Sequence, residues 1–329
     1  MGPFTRAVTA ATSPFPVPVL AFPGARLTGV TVRDVVSSAS AQITAQRALH
    51  ERFGTPCLMS AMDLSVEAEE FGSEIQFSDF EVPTVTKRLI TDARGIEALK
   101  VPSLGTRRTA VYIETVSGLA SSAGSSPVLA GMIGPLSLAG RLFGVSEALL
   151  ATATEPEMIT ELIEKSTQFL RTYARAFKEA GADAVIIAEP TAGLLSPPAV
   201  SKFSSRYIRA IVDDLQDSTF EVILHNCGAR RAHLAPTFEA GAAAYHFGSP
   251  MDLATAIREA PAGTVVGGNL DPAAVFHDST PGEVRTQTKT MLALWSPGCR
   301  FAPSSGCDIP YGTPLENLEA FFSAVSQAR

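Results

Sequence analysis

The chain has 329 residues, 46% hydrophobic and 18% charged, with 25 Gly and 23 Pro, a globular composition that excludes a disordered, collagen-like or disulfide-scaffold protein. With 26 Lys and Arg against 33 Asp and Glu the formal net charge is −7, and no basic stretch is long enough to follow a phosphate backbone, which argues against a nucleic-acid partner. Every apolar run is broken well short of the ~18 residues a membrane helix needs, and four cysteines are too few for a stapling framework, so a reducing cytoplasm is expected.

Residues 1–28 carry Pro14, Pro16, Pro18 and Pro23 and lack the apolar core of a secretory signal; they are read as a loose N-terminal extension over the body. Beyond them, short β-branched or apolar runs alternate with longer amphipathic stretches, the pattern of parallel strands joined by crossover helices. Eight such runs are expected as strands: Cys57 to Ala61, Ile75 to Phe80, Val128 to Ile133, Ala184 to Ala188, Glu221 to Leu224, Ala243 to His246, Thr264 to Gly268 and Arg300 to Ala302. Between them, Glu157 to Ala180 has Ile159, Leu162, Ile163, Phe169, Leu170, Tyr173 and Phe177 at helical spacing, and Pro197 to Gln216 opens at a Ser-Pro pair that suits a helix start. The Gly/Ser-rich stretch Ser117 to Ser126 reads as a flexible loop or as a domain boundary. Eight strands in this rhythm, with no G-x-G-x-x-G after an early strand, predict an α/β protein with a single (β/α)8 TIM-barrel domain over residues 1–329, whose reactive residues sit in the loops after the strands.

The segment EVILHNCG, Glu221 to Gly228, ends a buried run in His225 and Cys227. Residues i and i+2 of a strand face one side, so imidazole and thiol are expected to project together into the barrel mouth. Cys307, in FAPSSGCD after the eighth strand, opens at the same rim. One nitrogen and two sulfur donors suit zinc, and three protein ligands leave the open position of a catalytic site; the competing reading is a satisfied histidine beside a structural thiol.

The remaining candidates are single residues. Glu189, Asp79 and Asn269 are candidate catalytic groups, and Asp63 and His246 candidate cofactor contacts. Glu189 closes the fourth run and reads as a weak fourth ligand, an outer acceptor, or a loop carboxylate in water. Asp63 and Asp79 either hydrogen-bond a substrate or cap the next helix. Asp271 in GGNLDP fits an Asx-Pro turn, which leaves Asn269 open, and His246 reads as a hydrogen-bonded rim or core residue. Cys57 and Cys299 are expected to be packed inside.

These segments resemble the uroporphyrinogen decarboxylase superfamily from Val30 to the end: FSDF (Phe77 to Phe80), HNCG (His225 to Gly228), GNLDP (Gly268 to Pro272) and GCDIPYGTPLEN (Gly306 to Asn317). The His-x-Cys with a distal Cys resembles the branch of corrinoid-dependent methyltransferases that methylate coenzyme M. Where the decarboxylases have a loop like R-Q-A-G-R-Y after the first strand, this chain has Met59-Ser60-Ala61-Met62-Asp63, without the arginines that hold a polycarboxylate. The resemblance implies a zinc ion on His225, Cys227 and Cys307, an acceptor sulfur in its open position, and a methylcorrinoid supplied by a partner protein, because the D-x-H-x-x-G of corrinoid-carrying modules is absent. Tetrahydrofolate as acceptor, a decarboxylase-like lyase, and a non-catalytic protein with a closed structural zinc are the alternatives.

Overall fold

The computed structural model describes residues 1–328. Seven strands form one sheet: β1 (Leu58–Met59), β2 (Val128–Ile133), β3 (Ala184–Ala188), β4 (Glu221–Asn226), β5 (Ala244–Phe247), β6 (Val265–Leu270) and β7 (Phe301–Ser305). They pair in chain order and all in parallel, and the crossovers between them carry helices. Because a parallel sheet is covered on both faces, its strands are continuous apolar runs. Alternate residues divide between two clusters. Met59, Leu129, Ile186, Ile223, Ala244, Val265 and Ala302 fill the interior, while Val185, Ile187, Val222, Leu224, Tyr245 and Val266 meet the surrounding helices.

The eighth place, between β7 and β1, is taken by the N-terminal segment, which is not a loose extension. Val17 N–H donates to the Pro303 carbonyl at 2.9 Å and Val19 N–H to Ser305 Oγ at 3.0 Å. Val17 and Val19 pack with Cys57 and Met59 in the interior. Successive N–H groups of extended chain point to opposite sides; Val17 and Val19 face β7, so Pro16 and Pro18 face β1 with no hydrogen to donate. The segment thus closes the barrel by packing without becoming a ladder strand. Before it, helix α1 (Pro3–Ala10) plugs the barrel floor, with Phe4 and Val8 in the interior cluster. Glu221, at the start of β4, accepts the Gly2 and Thr5 amides at 2.7 and 2.9 Å, a carboxylate on a helix N-terminus.

The expected second strand, Ile75 to Phe80, does not join the sheet. Only Ile75–Gln76 is extended, paired antiparallel with Thr84–Val85 outside the barrel. Gln76 is exposed, as are Asp79 and Phe80, and a segment carrying Gln76, Ser78 and Asp79 lacks the apolar side chains that burial on both faces demands. The Ser117 to Ser126 stretch is half helical, since Thr109–Ala120 is a helix that ends in a turn. Helix α2 (Pro135–Phe143) follows β2, and α3 (Pro156–Glu179) covers the expected amphipathic stretch. The expected helix from Pro197 is α-helical at each end with a π-helical turn, Ser201–Ser205, in the middle. No single helix among the described residues is long and apolar enough to cross a membrane.

Candidate metal centre

The register of the strands places the site. His225 pairs with Ala188 on one side and His246 on the other, and lies two residues beyond the interior-facing Ile223, so its ring points into the lumen. Cys227 is the first residue past β4, and Cys307 lies two residues past β7. One ligand atom from each of His225, Cys227 and Cys307 lies within 4.8 Å of the others. His225 is buried and both thiols are partly exposed, which leaves the cluster open on one side. Two glycines let the loops approach this closely: a Cβ on Gly248 would sit 2.1 Å from the Cys227 carbonyl oxygen, and one on Gly306 2.8 Å from the Ser249 nitrogen.

The two thiols are unequal. Cys227 is pushed far below the usual thiol range because Cys307 S–H donates to its sulfur and His225 stands beside it; Cys307, the donor, moves up. A thiolate, a second thiol and an imidazole form a donor set that fits zinc. Two sulfurs on one tetrahedral zinc stand about 3.8 Å apart, so a cluster within 4.8 Å needs to close by no more than about an ångström.

Behind His225 runs a chain of hydrogen bonds. Its Nδ1 meets His246 Nδ1 at 2.8 Å, and His246 Nε2 meets Ser304 Oγ at 2.7 Å. Burial and the neighbouring His225 hold the His246 pKa well below the usual value, so the ring is neutral. His246 is therefore a hydrogen-bonded neighbour of the cluster rather than one of its ligand atoms.

The other candidates lie elsewhere. Glu189 is fully buried, and its carboxylate accepts the Leu136 and Ser137 amides at 3.0 and 2.6 Å at the start of α2. It stands outside the three-residue cluster, although its own N–H donates to the His225 carbonyl at 2.8 Å. Burial raises its pKa to about 7 against the hydrogen bonds from α2. Asp63 is not free for a cofactor: it pairs with Arg108 and accepts the Ser65 amide at 2.9 Å and the Ser65 hydroxyl at 2.6 Å, a buried tie of the loop after β1. Asp79 lies on the outer hairpin, half-exposed and paired with Arg33 at 3.2 Å, outside the three-residue cluster. Asn269 Nδ2 donates to the Gly248 and Met251 carbonyls at 3.0 and 2.6 Å, so it holds the loop that passes over Cys227. Asp271 caps the turn after β6, accepting the Ala273 and Ala274 amides. Cys57 is buried in the barrel interior.

Near Asp63 the structure buries a second acid, Glu67, whose place in the first turn of a short helix, Val66–Glu70, gives no sign in the sequence that it is buried. Its Oε1 accepts the Ile133 amide at 3.0 Å, Oε2 has no partner, and burial pushes its pKa up to about 8. A raised folded-state pKa means the folded chain holds the proton more tightly than the unfolded one; this contribution is complete below about pH 4.5 and is lost as pH rises through 8. Wild-type unfolding midpoints in urea should fall from pH 5 to pH 9, and Glu67→Gln should flatten part of that fall, leaving the shares of Glu189 and of Asp308, whose carboxyl burial also pushes up. An unchanged pH profile in the variant would show that Glu67 does not carry the proton.

The uroporphyrinogen decarboxylase (URO-D) family profile matches residues 14–328. A methylcobamide:CoM methyltransferase, MtbA, of Methanosarcina acetivorans is 30% identical over 272 residues, covering 80% of this chain and 79% of its own. MtbA of Methanosarcina mazei is 30% identical over 85% of this chain and 82% of its own. A solved methyltransferase from Methanosarcina mazei superposes with a TM-score of 0.88 over 99% of this chain and 97% of its own, at 20% identity, and so bears on the fold. By profile and by relatives alike, the chain belongs to the uroporphyrinogen decarboxylase family, in its corrinoid:coenzyme M methyltransferase branch, and is a methyltransferase.

Proposed function

We propose that this protein moves a methyl group from a methylated corrinoid, carried by a separate cytoplasmic protein, to a thiol held on zinc, and that coenzyme M, the acceptor in the relatives' names, is that thiol. The observation that carries the reading is the convergence of His225, Cys227 and Cys307 at the barrel mouth. Bound there, zinc supplies a Lewis acid that lowers the pKa of an incoming thiol while leaving its sulfur nucleophilic. His225 and the two sulfurs hold the ion and leave one side of it to the acceptor. In the overall exchange the S–C bond forms as the Co–C bond breaks, the bonding pair stays on the corrinoid, and the thiol proton passes to water.

Coenzyme M ends in a sulfonate, and the chain offers a cation for it. Arg141 is the one residue of α2 that is not buried; its guanidinium has no hydrogen-bond or ion-pair partner among the described residues. Partial burial lowers its pKa, although Asp63 and Glu67 pull the other way. An unpaired guanidinium in such a place is costly until an anion arrives. Asp63 is already paired with Arg108, and burial favours the protonated form of Glu67, so neither competes strongly for it. Arg141 stands in the last turn of α2, within electrostatic reach of Asp63 and Glu67, which lie in and after the loop that follows β1. Arg141→Ala should raise KM for coenzyme M about 10–100-fold, the worth of a charge-assisted hydrogen bond. KM for the uncharged 2-mercaptoethanol should not change. Equal effects on both thiols would remove Arg141 from the acceptor site.

The reading as a whole is tested by following demethylation of free methylcobalamin in visible absorbance, with coenzyme M, homocysteine and tetrahydrofolate offered in turn, before and after chelation. Zinc-dependent turnover with coenzyme M is expected. Turnover with tetrahydrofolate that is indifferent to chelation would replace this reading with the folate one. Decarboxylation of a uroporphyrinogen is disfavoured by a loop after β1 that carries Asp63 and no arginine.

A further inference from the structure

The hydrogen bonds behind His225 have a direction, and it can be worked out from their far end. Ser304 Oγ carries one hydrogen, and apart from His246 its partners are two carbonyl oxygens, Val17 at 2.6 Å and Ser305 at 2.9 Å. A carbonyl only accepts, so the hydroxyl hydrogen goes to a carbonyl. Ser304 Oγ must then accept from His246, whose Nε2 is the protonated nitrogen. A neutral imidazole has one N–H, so His246 Nδ1 is bare and accepts from His225 Nδ1–H across their 2.8 Å contact. His225 thus holds a proton on Nδ1, and Nε2, the nitrogen on the far side of the ring from His246, is the one turned to Cys227.

The reverse polarity carries a penalty at the Val17 carbonyl. If Ser304 donated to His246, the Val17 carbonyl, buried in the extended N-terminal segment, would lose the hydroxyl hydrogen that reaches it. His246 would then donate from Nδ1, and His225 would carry its proton on Nε2, on the side of the Cys227 sulfur. No carboxylate lies in hydrogen-bond contact with either ring among the described residues, and the hydrogen-bond contact of His225 with the Cys227 sulfur leaves the Ser304 end of the chain, which sets the direction, unchanged.

We propose that His246 and Ser304, anchored on the Val17 carbonyl of the N-terminal segment, act as positioning residues that fix His225 as the Nδ1–H tautomer and so present Nε2 as a metal ligand. The inference rests on the zinc reading above for its purpose, though not for its hydrogen-bond geometry. The N-terminal segment thereby gains a second role, because besides closing the barrel between β7 and β1 it terminates the relay that sets the tautomer at the mouth.

Two measurements on the full-length protein test it. In metal-free protein labelled with 15N, long-range proton–nitrogen correlation spectra should show His246 protonated on Nε2 and bare on Nδ1, and His225 protonated on Nδ1. Adding zinc should shift His225 Nε2 and leave its Nδ1 proton in place. A His246 protonated on Nδ1 overturns the proposal. In the second, zinc affinity is measured by chelator competition for His246→Leu and His246→Gln. The amide of Gln supplies both an acceptor and a donor, so its affinity should stay within about 3-fold of wild type, while Leu should weaken zinc about 10–100-fold, the usual worth of such an outer partner. Equal loss in both variants would mean that the ring matters only for packing, and the relay would be abandoned. Failure of wild-type protein to bind zinc would overturn the zinc reading by itself, since the tautomers of the metal-free protein are read independently of it.

Discussion

Replacing Cys307 with alanine is expected to abolish stoichiometric zinc binding and to lower methyl transfer from methylcobalamin to coenzyme M on the order of 10³-fold, since Lewis-acid stabilisation of the attacking sulfur is worth several kcal/mol. The variant leaves one imidazole and one sulfur, too few donors to hold the ion against solvent. Two controls give the experiment its meaning. Cys57 lies in the barrel interior, where burial pushes its thiol far up and makes it inert, and Cys299 lies before β7, outside the cluster. Serine at either position should leave one zinc per chain. The unfolding midpoint of Cys307→Ala distinguishes the catalytic site from a structural zinc: a modest shift with full loss of turnover fits an open site, whereas collapse of the fold on metal loss would mean that zinc ties the loops together. Zinc retained at one per chain in Cys307→Ala would remove the thiol from the ligand set and the proposed chemistry with it.

The second large effect is at the opposite end of the barrel. Glu221 is buried at the start of β4, and its carboxylate holds the Gly2 amide, the Thr5 amide and the Thr5 hydroxyl. Glu221→Ala leaves those donors without a partner and frees α1 to detach, uncovering Phe4 and Val8. The loss should be roughly 3–5 kcal/mol, combining the unpaired donors with the apolar surface exposed. It is read from urea unfolding curves. Glu221→Gln, which keeps an acceptor, should recover part of it. Deleting residues 1–12 should do at least as much damage as Glu221→Ala; a deletion with wild-type stability would restore the reading of this segment as a loose extension. Because the relay from His225 ends on Val17, just beyond α1, the deletion also separates the two roles of the N-terminal region: stability should fall sharply, while zinc affinity should hold as long as Val17 keeps its place on β7.

The sequence was legible where local pattern and tertiary demand agree. Parallel strands buried on both faces show as apolar runs, and β2 and β3 match their expected bounds. The alternation of strand side chains places His225 on the inner face, and the rule that reactive groups follow the strands of such a barrel brings Cys307, 80 positions after Cys227, to the same rim. It was misleading where one signal serves two structures. Pro14, Pro16 and Pro18 mark a segment that cannot form a regular ladder, which is true of it; whether such a segment hangs loose or fills a gap depends on what stands on either side. Ile75 to Phe80 has the opening of a strand, but Ser78 and Asp79 have no place in a parallel sheet. The single-residue candidates fared unevenly for the same reason. An Asp after a strand signals a polar loop group; only the fold reveals that Arg108 reaches Asp63 from 45 positions away, or that the Glu189 carboxylate faces the amides of α2.

What the amino-acid sequence determined by itself was the kind of scaffold and the chemical identity of the donors, because hydrophobic period and residue type are local properties that survive without knowledge of distant neighbours. Tertiary structure alone decided that the N-terminal segment closes the barrel, that Asp63 and Glu189 are already engaged, that Arg141 has no partner among the described residues, and that His246 and Ser304 stand behind His225. Each of these depends on which groups meet across the lumen, and a hydrogen bond has a direction only once both of its ends are known.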